Sequence, residues 1–363
     1  MTAHLPVAVI KGALQDRLEQ LVRELLPGGR REANRWKAKN PTRRDREAGS
    51  FAVWLTGPAK GAWKDYASDD KGDVIDLVRY VRGGERADAI AWAKDWLGLD
   101  VVDGATLARM QEEAAGRKRT AEAAAASADA ERVSRAFRLF CKASPEIAGT
   151  VVETYLARRG IPLRDVQNIE HGEIRHMPRL EWWKGARRDR EVGRIAGPEF
   201  PAMVCAIRSP IGELRAVHCT FLAHDGSGKA PVDAPKLMFG LVAGCVIRLS
   251  RGPWNMTPEE ARTAGLTSVL ALGEGVEDGL SIALGAPEAR VWAATSLSNL
   301  ANVDLRDPCV SAAVVAKDND WGKPQAQAAF DRAIDALAAH GKPIAVMSSA
   351  IGKDFNDQLR GEG

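Results

Sequence analysis

The sequence predicts an α/β domain at its C-terminal end, a parallel sheet of βα units, preceded by a mixed β-rich subdomain and a small α+β N-terminal module. Three observations predict it. From residue 267 onward short apolar runs alternate with helical patterns: TSVLALGE, GVEDGLSIALG, RVWAATS, LSNLANV, SAAVVAKD, QAQAAFDRAIDALAAHG and IAVMSS. Buried strands separated by helices imply right-handed crossovers within one parallel sheet. Before them, PAMVCAIRSP, ELRAVHCTFLAHDGSG and GCVIRLSRG are strand-like runs punctuated by Gly, Pro and Asp, as in hairpins. The first hundred residues open with one helical stripe and continue with short strand-like runs. At 363 residues the chain has room for two or three domains of about 150 residues each.

The opening helix is expected over 11–26, where Leu14, Leu18, Leu21, Val22 and Leu25 recur at three- and four-residue spacing. A basic stretch, GRREANRWKAKNPTRRDRE, follows Pro27-Gly28-Gly29, and SFAVWL and Trp63-Lys64-Asp65-Tyr66 suit strands. In GDVIDLVRYVRGG, Asp73 stands where a carboxylate meets the free N–H groups of a helix start. Residues 104–141 are rich in Ala, Glu, Arg and Lys with almost no β-branched residues, which favours a long exposed helix. The expected organisation is a module over 1–100, a helical linker over 101–145, a subdomain over 146–260 and the α/β domain over 261–363.

Bulk composition narrows the function less than local clusters do. Lys plus Arg total 51 against 48 Asp plus Glu, so net charge lends little support to a polyanionic partner. The five cysteines are scattered, without a CxxC pair, and neither a disulfide framework nor a zinc site is expected. The apolar stretch at the start is interrupted early by charged residues, and no run approaches the ~20 residues of a membrane span. A soluble cytoplasmic protein without a membrane partner is expected. Asp225-Gly226-Ser227-Gly228-Lys229-Ala230 hints at a phosphate-binding loop, but Ala223 and Ala230 occupy its first Gly and its Ser/Thr positions.

Acidic residues gather where the strands of a parallel sheet should end, the edge at which such sheets place their functional groups. Glu274 follows TSVLALG, with Gly275 expected to permit a tight turn. Asp318 and Asp320 follow AAVVAK, at a spacing that sends both carboxylates to one side of an extended backbone. Asp354 and Asp357 follow the next apolar run. Converging carboxylates repel unless a cation lies among them. All-oxygen ligands favour Mg²⁺ or Mn²⁺ and point to phosphoryl or nucleotidyl chemistry.

Glu274-Gly275-Val276-Glu277-Asp278 followed by Asp318-Asn319-Asp320, with βα units around both, resembles the Toprim domain of bacterial primases, topoisomerases and some nucleases. The resemblance covers residues 265–360. It implies Glu274, Asp318 and Asp320 as catalytic and metal-binding acids and Asp278 as a supporting residue. Gly352-Lys353-Asp354-Phe355-Asn356-Asp357 is similar to the segment closing this domain in phage and plasmid primases, which implies supporting roles for Asp354, Asn356 and Asp357. Upstream, Gly72-Asp73-Val74-Ile75-Asp76-Leu77-Val78 resembles the end of the zinc ribbon of DnaG-type primases, here without its cysteines.

A degenerate, zinc-free ribbon held by Trp36, Phe51, Trp54, Trp63 and Tyr66 is expected. Its Arg35, Lys37 and Trp63 are candidates for template contact by phosphate pairing and base stacking. Lys229 and Lys236 lie in segments that look like those flanking the catalytic domain of phage and plasmid primase-like proteins, and are candidates for triphosphate or template. Together the resemblances imply a DNA primase-like nucleotidyltransferase making short RNA primers on single-stranded DNA from NTPs, with a replicative helicase as a further partner. A Toprim nuclease, or a nucleic-acid-binding replication protein that has lost catalysis, are the alternatives.

Overall fold

The computed structural model of the chain describes residues 5–45, 49–99, 104–189, 191–319 and 324–361. The chain divides into two compact units, Met1–Ser127 and Ala128–Gly363. Among the described residues no helix is long and apolar enough to cross a membrane.

The first unit begins with α1 (Val7–Asp16) and α2 (Leu18–Leu25). The single expected helix is therefore two, starting earlier, after Pro6, and interrupted at Arg17 (φ −103°, ψ 25°). The apolar stripe continues across the break, with Ile10, Leu14, Leu18, Leu21 and Val22 all buried. Strands β1 (Arg30–Glu32), β2 (Arg35–Ala38), β3 (Phe51–Trp54), β4 (Trp63–Asp65) and β5 (Lys71–Gly72) form one antiparallel meander. Then come α3 (Val74–Arg82), α4 (Arg86–Leu97) and the long α5 (Gly104–Lys142). Asp73 caps α3 as its position suggested, accepting from the amides of Ile75 (2.8 Å) and Asp76 (3.1 Å), while Asp76 accepts from the Asp73 amide.

The aromatic core of this unit differs from expectation in two members, Trp54, which is only half-buried, and Tyr66. Trp36, Phe51 and Trp63 are buried, but Tyr66 is 51% exposed. Tyr80, on α3, takes the inner place, its ring 4.6 Å from Trp63 and 5.7 Å from Phe51. Trp63 is 4% exposed and stacks on Phe51 at 5.0 Å, so its faces are occupied by the core. Base stacking by Trp63 is thereby excluded in this fold.

A polar knot joins the loop after β2 to the β4–β5 turn. The fully buried Asp65 accepts from Asn40 Nδ2 (2.7 Å), Arg43 Nη1 (3.0 Å), Ser68 Oγ (2.9 Å) and the Ala67 amide (3.0 Å). Burial pushes its pKa up, but the Ala67 amide, Arg43, Asn40 and Ser68 outweigh it and hold the carboxyl below the ordinary range. Asp65→Ala leaves these donors without their acceptor and should destabilise the unit by about 2 kcal/mol, read as a lower urea midpoint. Because the folded pKa is depressed, the knot's contribution is complete above about pH 4 and fades as pH falls through the folded value.

The second unit contains the end of α5 and α6 (Val151–Arg158). Strands β6 (Ile174–Glu181), β7 (Arg187–Asp189), β8 (Gly193–Ile195), β9 (Glu199–Arg208), β10 (Leu214–Phe221), β11 (Lys236–Gly240) and β12 (Ile247–Arg251) follow, then α7 (Pro258–Ala264). β13 (Ser268–Gly273), α8 (Val276–Gly285), β14 (Arg290–Ala293), α9 (Leu297–Leu300), β15 (Val310–Lys317), α10 (Pro324–Ala338), β16 (Ile344–Ser348) and α11 (Phe355–Arg360) complete it. One sheet is antiparallel, in the order β11-β10-β9-β6. The other runs β12-β14-β13-β15-β16, with β14, β13, β15 and β16 parallel and β12 antiparallel at its edge.

The last strand-like run of the expected β-rich subdomain, GCVIRLSRG, thus pairs with the parallel sheet. Ile247 and Leu249 are buried there with Leu280 of α8 and Val291 of β14 in a core that also takes Tyr155, Leu156, Met203 and Cys205. That shared core joins the two sheets. Leu270, Leu272, Val315, Phe330 and Leu337 form the core on the other side of the parallel sheet.

Candidate functional site

The strand order creates the site. From β13 the chain crosses through α8 to β14 on one side, whereas β15 lies on the other side of β13 and leads through α10 to β16. Strand ends at such a reversal leave a crevice at the carboxyl edge of the sheet. Leu272 stands opposite Val315 and Gly273 opposite Ala293. Glu274, one residue past β13, and Asp318, one residue past β15, therefore leave neighbouring strands at the same edge. They line one recess of about 20 Å³, with Leu297, Leu300, Ala316 and Phe330 among its walls, room for about one water or ion.

The turn after Glu274 does not need glycine for its dihedral angles: Gly275 has φ −98°. A Cβ there would lie 2.9 Å from Asp278 Oδ2. The tight turn expected after Glu274 therefore does not rest on a left-handed glycine, and a Cβ at this position would displace only the end of the Asp278 side chain. Asp278, in the first turn of α8, accepts from the Asn356 amide at 3.2 Å. Its carboxyl is pushed up to about 7 by burial and then by the carboxylates of Asp354 and Asp318. Asp354 and Asp318 are thus each close enough to repel the Asp278 carboxylate.

The remaining sequence-derived residues divide between this edge and its supports. Asp354 caps α11 by accepting from the Asp357 amide (2.9 Å), and Asp357 accepts from the Lys353 amide (3.1 Å). Lys353 Nζ lies 3.2 Å from Asp318 Oδ2. Asn356 is fully buried and faces no opening. Its Nδ2 donates to the Arg159 carbonyl (2.8 Å) and Ser281 Oγ (3.1 Å), and its Oδ1 accepts from Arg159 Nη1 (2.9 Å). Its support is anchoring α11 to α6 and α8. Asp320 lies outside the described residues.

Lys229 and Lys236 meet a residue that the sequence reading quoted within its motif but assigned no role. Glu277 is 3% exposed, with Lys236 Nζ at 2.9 Å, Tyr155 Oη at 2.7 Å and Lys229 Nζ at 3.7 Å. Burial pushes the Glu277 pKa up, but Lys236, Lys229 and Tyr155 outweigh it and hold the carboxyl well below the usual range. Lys229, beyond hydrogen-bond reach, is pulled down by burial and by Lys236 more than Glu277 restores. Lys236 is therefore the principal partner. In the first unit, Arg35 lies 4.8 Å over Trp54 and donates to Tyr66 Oη (3.1 Å), and Lys37 pairs with Glu32 at 2.7 Å.

A second surface belongs to the antiparallel sheet. Arg135, Leu139, Leu180, Glu181, Trp183, Arg194 and Phe239 line a recess of about 340 Å³. Trp183 meets Phe239 edge to face at 6.5 Å, and the Arg135 guanidinium lies 5.0 Å over Phe239. The neighbouring β7–β8 hairpin carries the exposed Arg187 and Arg188. No sequence expectation named this surface: the pair Trp182-Trp183 and the basic run after it were visible, but their convergence with Arg135 and Phe239 is tertiary.

The donor set at the sheet edge suits a hard divalent cation, since the acidic groups that meet there offer only carboxylate oxygens. Among the described residues no three His, Cys, Asp or Glu side chains are grouped tightly enough to hold a metal by themselves.

A Toprim domain profile matches residues 269–363, and a profile for a domain of unknown function (DUF7146) matches residues 130–249. No curated protein matches. The Aquifex aeolicus primase (zinc-binding and RNA polymerase domains) is 14% identical over 97% of this chain and 82% of that one, with a TM-score of 0.42. The DnaG primase catalytic domain bound to ssDNA is 14% identical over 65% and 79%, TM-score 0.44. The E. coli primase catalytic core is 15% identical over 62% and 74%, TM-score 0.43. Residues 269–363 are a Toprim domain, with Glu274 and Asp318 at the carboxyl ends of its two central strands.

Proposed function

We propose that this chain is a primase-like nucleotidyltransferase that joins nucleotides on a single-stranded DNA template, using Mg²⁺ or Mn²⁺. The convergence of Glu274 and Asp318 on one recess of a Toprim domain carries the reading. Glu274, Asp318 and Asp320 would hold the cation, which supplies charge neutralisation at phosphate oxygens. Asp278 and Asp354 add negative potential behind it. Lys353 holds Asp318 by its ion pair. Glu277 anchors Lys236 and keeps its ammonium directed at one place beside the domain. The residues thereby act by position and charge, the main demands of phosphoryl transfer.

The recess of Trp183, Phe239 and Arg135, beside the exposed Arg187 and Arg188 of the β7–β8 hairpin, combines aromatic rings with cationic side chains, the pairing that suits a single strand. On this reading it supplements Arg35 and Lys37 and takes the stacking role that the buried Trp63 does not have. Trp183→Ala should weaken binding of an oligo-dT by about tenfold, measured by fluorescence anisotropy at fixed salt.

The activity is tested by incubating the full chain with single-stranded DNA, labelled NTPs and Mg²⁺ or Mn²⁺ and resolving the products on a gel. Short template-dependent oligonucleotides support the proposal. Shortened DNA would replace it with a nuclease, and DNA binding without any product would replace it with a nucleic-acid-binding protein lacking catalysis.

A further inference from the structure

The segment that resembles the end of a zinc ribbon opens at Gly72, and in the ribbons it resembles a cysteine stands four residues before that glycine. Here the position holds Ser68. Structural zinc sites take their ligands in pairs a few residues apart, from thiolates, imidazoles and carboxylates. Asp65-Tyr66-Ala67-Ser68 and Asn40-Pro41-Thr42-Arg43 both have this spacing, and the fold brings them together. Ala38 stands opposite Phe51, and Phe51 opposite Asp65. Strands β2 and β4 therefore leave the sheet at the same end, and the loops that follow them lie side by side.

The four side chains at these positions do not fit zinc. Arg43 has no acceptor atom and keeps its charge. Asn40 Oδ1 accepts from the Thr42 amide at 2.7 Å, while Asn40 Nδ2 and Ser68 Oγ donate to Asp65 Oδ2 at 2.7 and 2.9 Å. Asp65 alone is left to ligate, and one carboxylate does not make a structural zinc site. The donors converge instead on a single oxygen. Arg43 Nη1 reaches the same Asp65 Oδ2 at 3.0 Å, and its Nε reaches Asp45 Oδ1 at 2.9 Å, so the guanidinium bridges two carboxylates. Asn40 Nδ2 also donates to Tyr80 Oη at 2.9 Å, which ties the knot to α3.

We infer that Asn40, Arg43, Asp65 and Ser68 stand at the ligand positions of a four-ligand metal site and replace the metal by an internal ion pair, with the Arg43 guanidinium as its fixed cation. The clamp between the two loops then needs neither a metal ion nor a thiol. No cysteine precedes Cys141, so chelation and thiol oxidation both leave it intact. The inference concerns the first unit and does not depend on which reaction the Toprim domain performs.

Zinc content, Co²⁺ absorption and melting with and without EDTA are measured on the full chain and on the fourfold variant Asn40→Cys, Arg43→His, Asp65→Cys, Ser68→Cys. The parent should carry no stoichiometric zinc and melt alike with and without EDTA. The fourfold variant should bind about one Co²⁺ per chain with the visible bands of tetrahedral coordination, and EDTA should lower its melting temperature by roughly 5 °C or more. Urea unfolding of Arg43→Gln, Asp65→Asn and the double variant tests the ion pair itself: each single change should lower the midpoint, and the double variant should be scarcely lower than either. Zinc in the parent that Asp65→Asn removes, or a parent destabilised by EDTA, overturns the inference, as do additive losses in the double variant. A fourfold variant that folds without binding Co²⁺ also overturns it. Where that variant fails to fold, the parent's response to EDTA and the coupling of Arg43 with Asp65 decide.

Discussion

Asp318→Asn is expected to reduce template-directed nucleotide incorporation by roughly a thousandfold, about 4 kcal/mol of transition-state stabilisation, with little change in melting temperature. The substitution nearly preserves shape and removes only charge. Asp318 lies in the loop after β15 and lines the recess, and an amide can still accept from Lys353, 3.2 Å away. Glu274→Gln should behave alike, because both carboxylates line the same recess. Because they act as one unit, the double variant should be scarcely worse than either single one. Single-turnover rates with labelled NTPs measure this; two independent, additive losses would show that the residues serve separate sites.

Glu277→Gln is expected to destabilise the second unit by about 2 kcal/mol, since the buried carboxylate loses its charged hydrogen bonds while the partly exposed Lys236 stays hydrated. Lys236, at 2.9 Å, loses its counter-charge, and Tyr155, whose hydroxyl reaches Glu277 at 2.7 Å, loses a charged acceptor. The effect should depend on pH with a definite sign. The folded pKa of Glu277 is depressed, so its contribution is fully present above the unfolded value, near pH 4.3, and is lost as pH falls toward the folded value. Urea unfolding of parent and variant should therefore differ most at neutral pH and converge in acid. Equal midpoints at pH 7 would contradict the assignment of Glu277 as the anchor.

The helical and strand patterns that carry the site were legible because they are local. The alternation from residue 267 onward gave the parallel sheet, and placing Glu274 and Asp318 after apolar strands was enough to put them at one edge. The long helix over residues 104–142 was legible from composition. Less legible were features that need a third dimension. Glu277 lies beside Asp278 in sequence, yet it points to Lys236 and Tyr155, which come from β11 and α6, and no spacing rule links those segments. GCVIRLSRG carries the same signal whichever sheet it joins, so its pairing with β14 could not be read from the strand itself. Trp63 and Tyr80 show the same limit: an aromatic residue near arginines suits either a stacking platform or a core, and only burial separates the two.

The proposed function requires that Glu274 and Asp318 jointly hold a divalent cation. It is tested most directly by anomalous diffraction from crystals of the full chain soaked in MnCl₂. The predicted result is an anomalous peak bonded to carboxylate oxygens of both residues and absent from crystals of the Asp318→Asn variant. A map with no peak at that edge of the sheet, or with manganese bound only at other carboxylates, would contradict it.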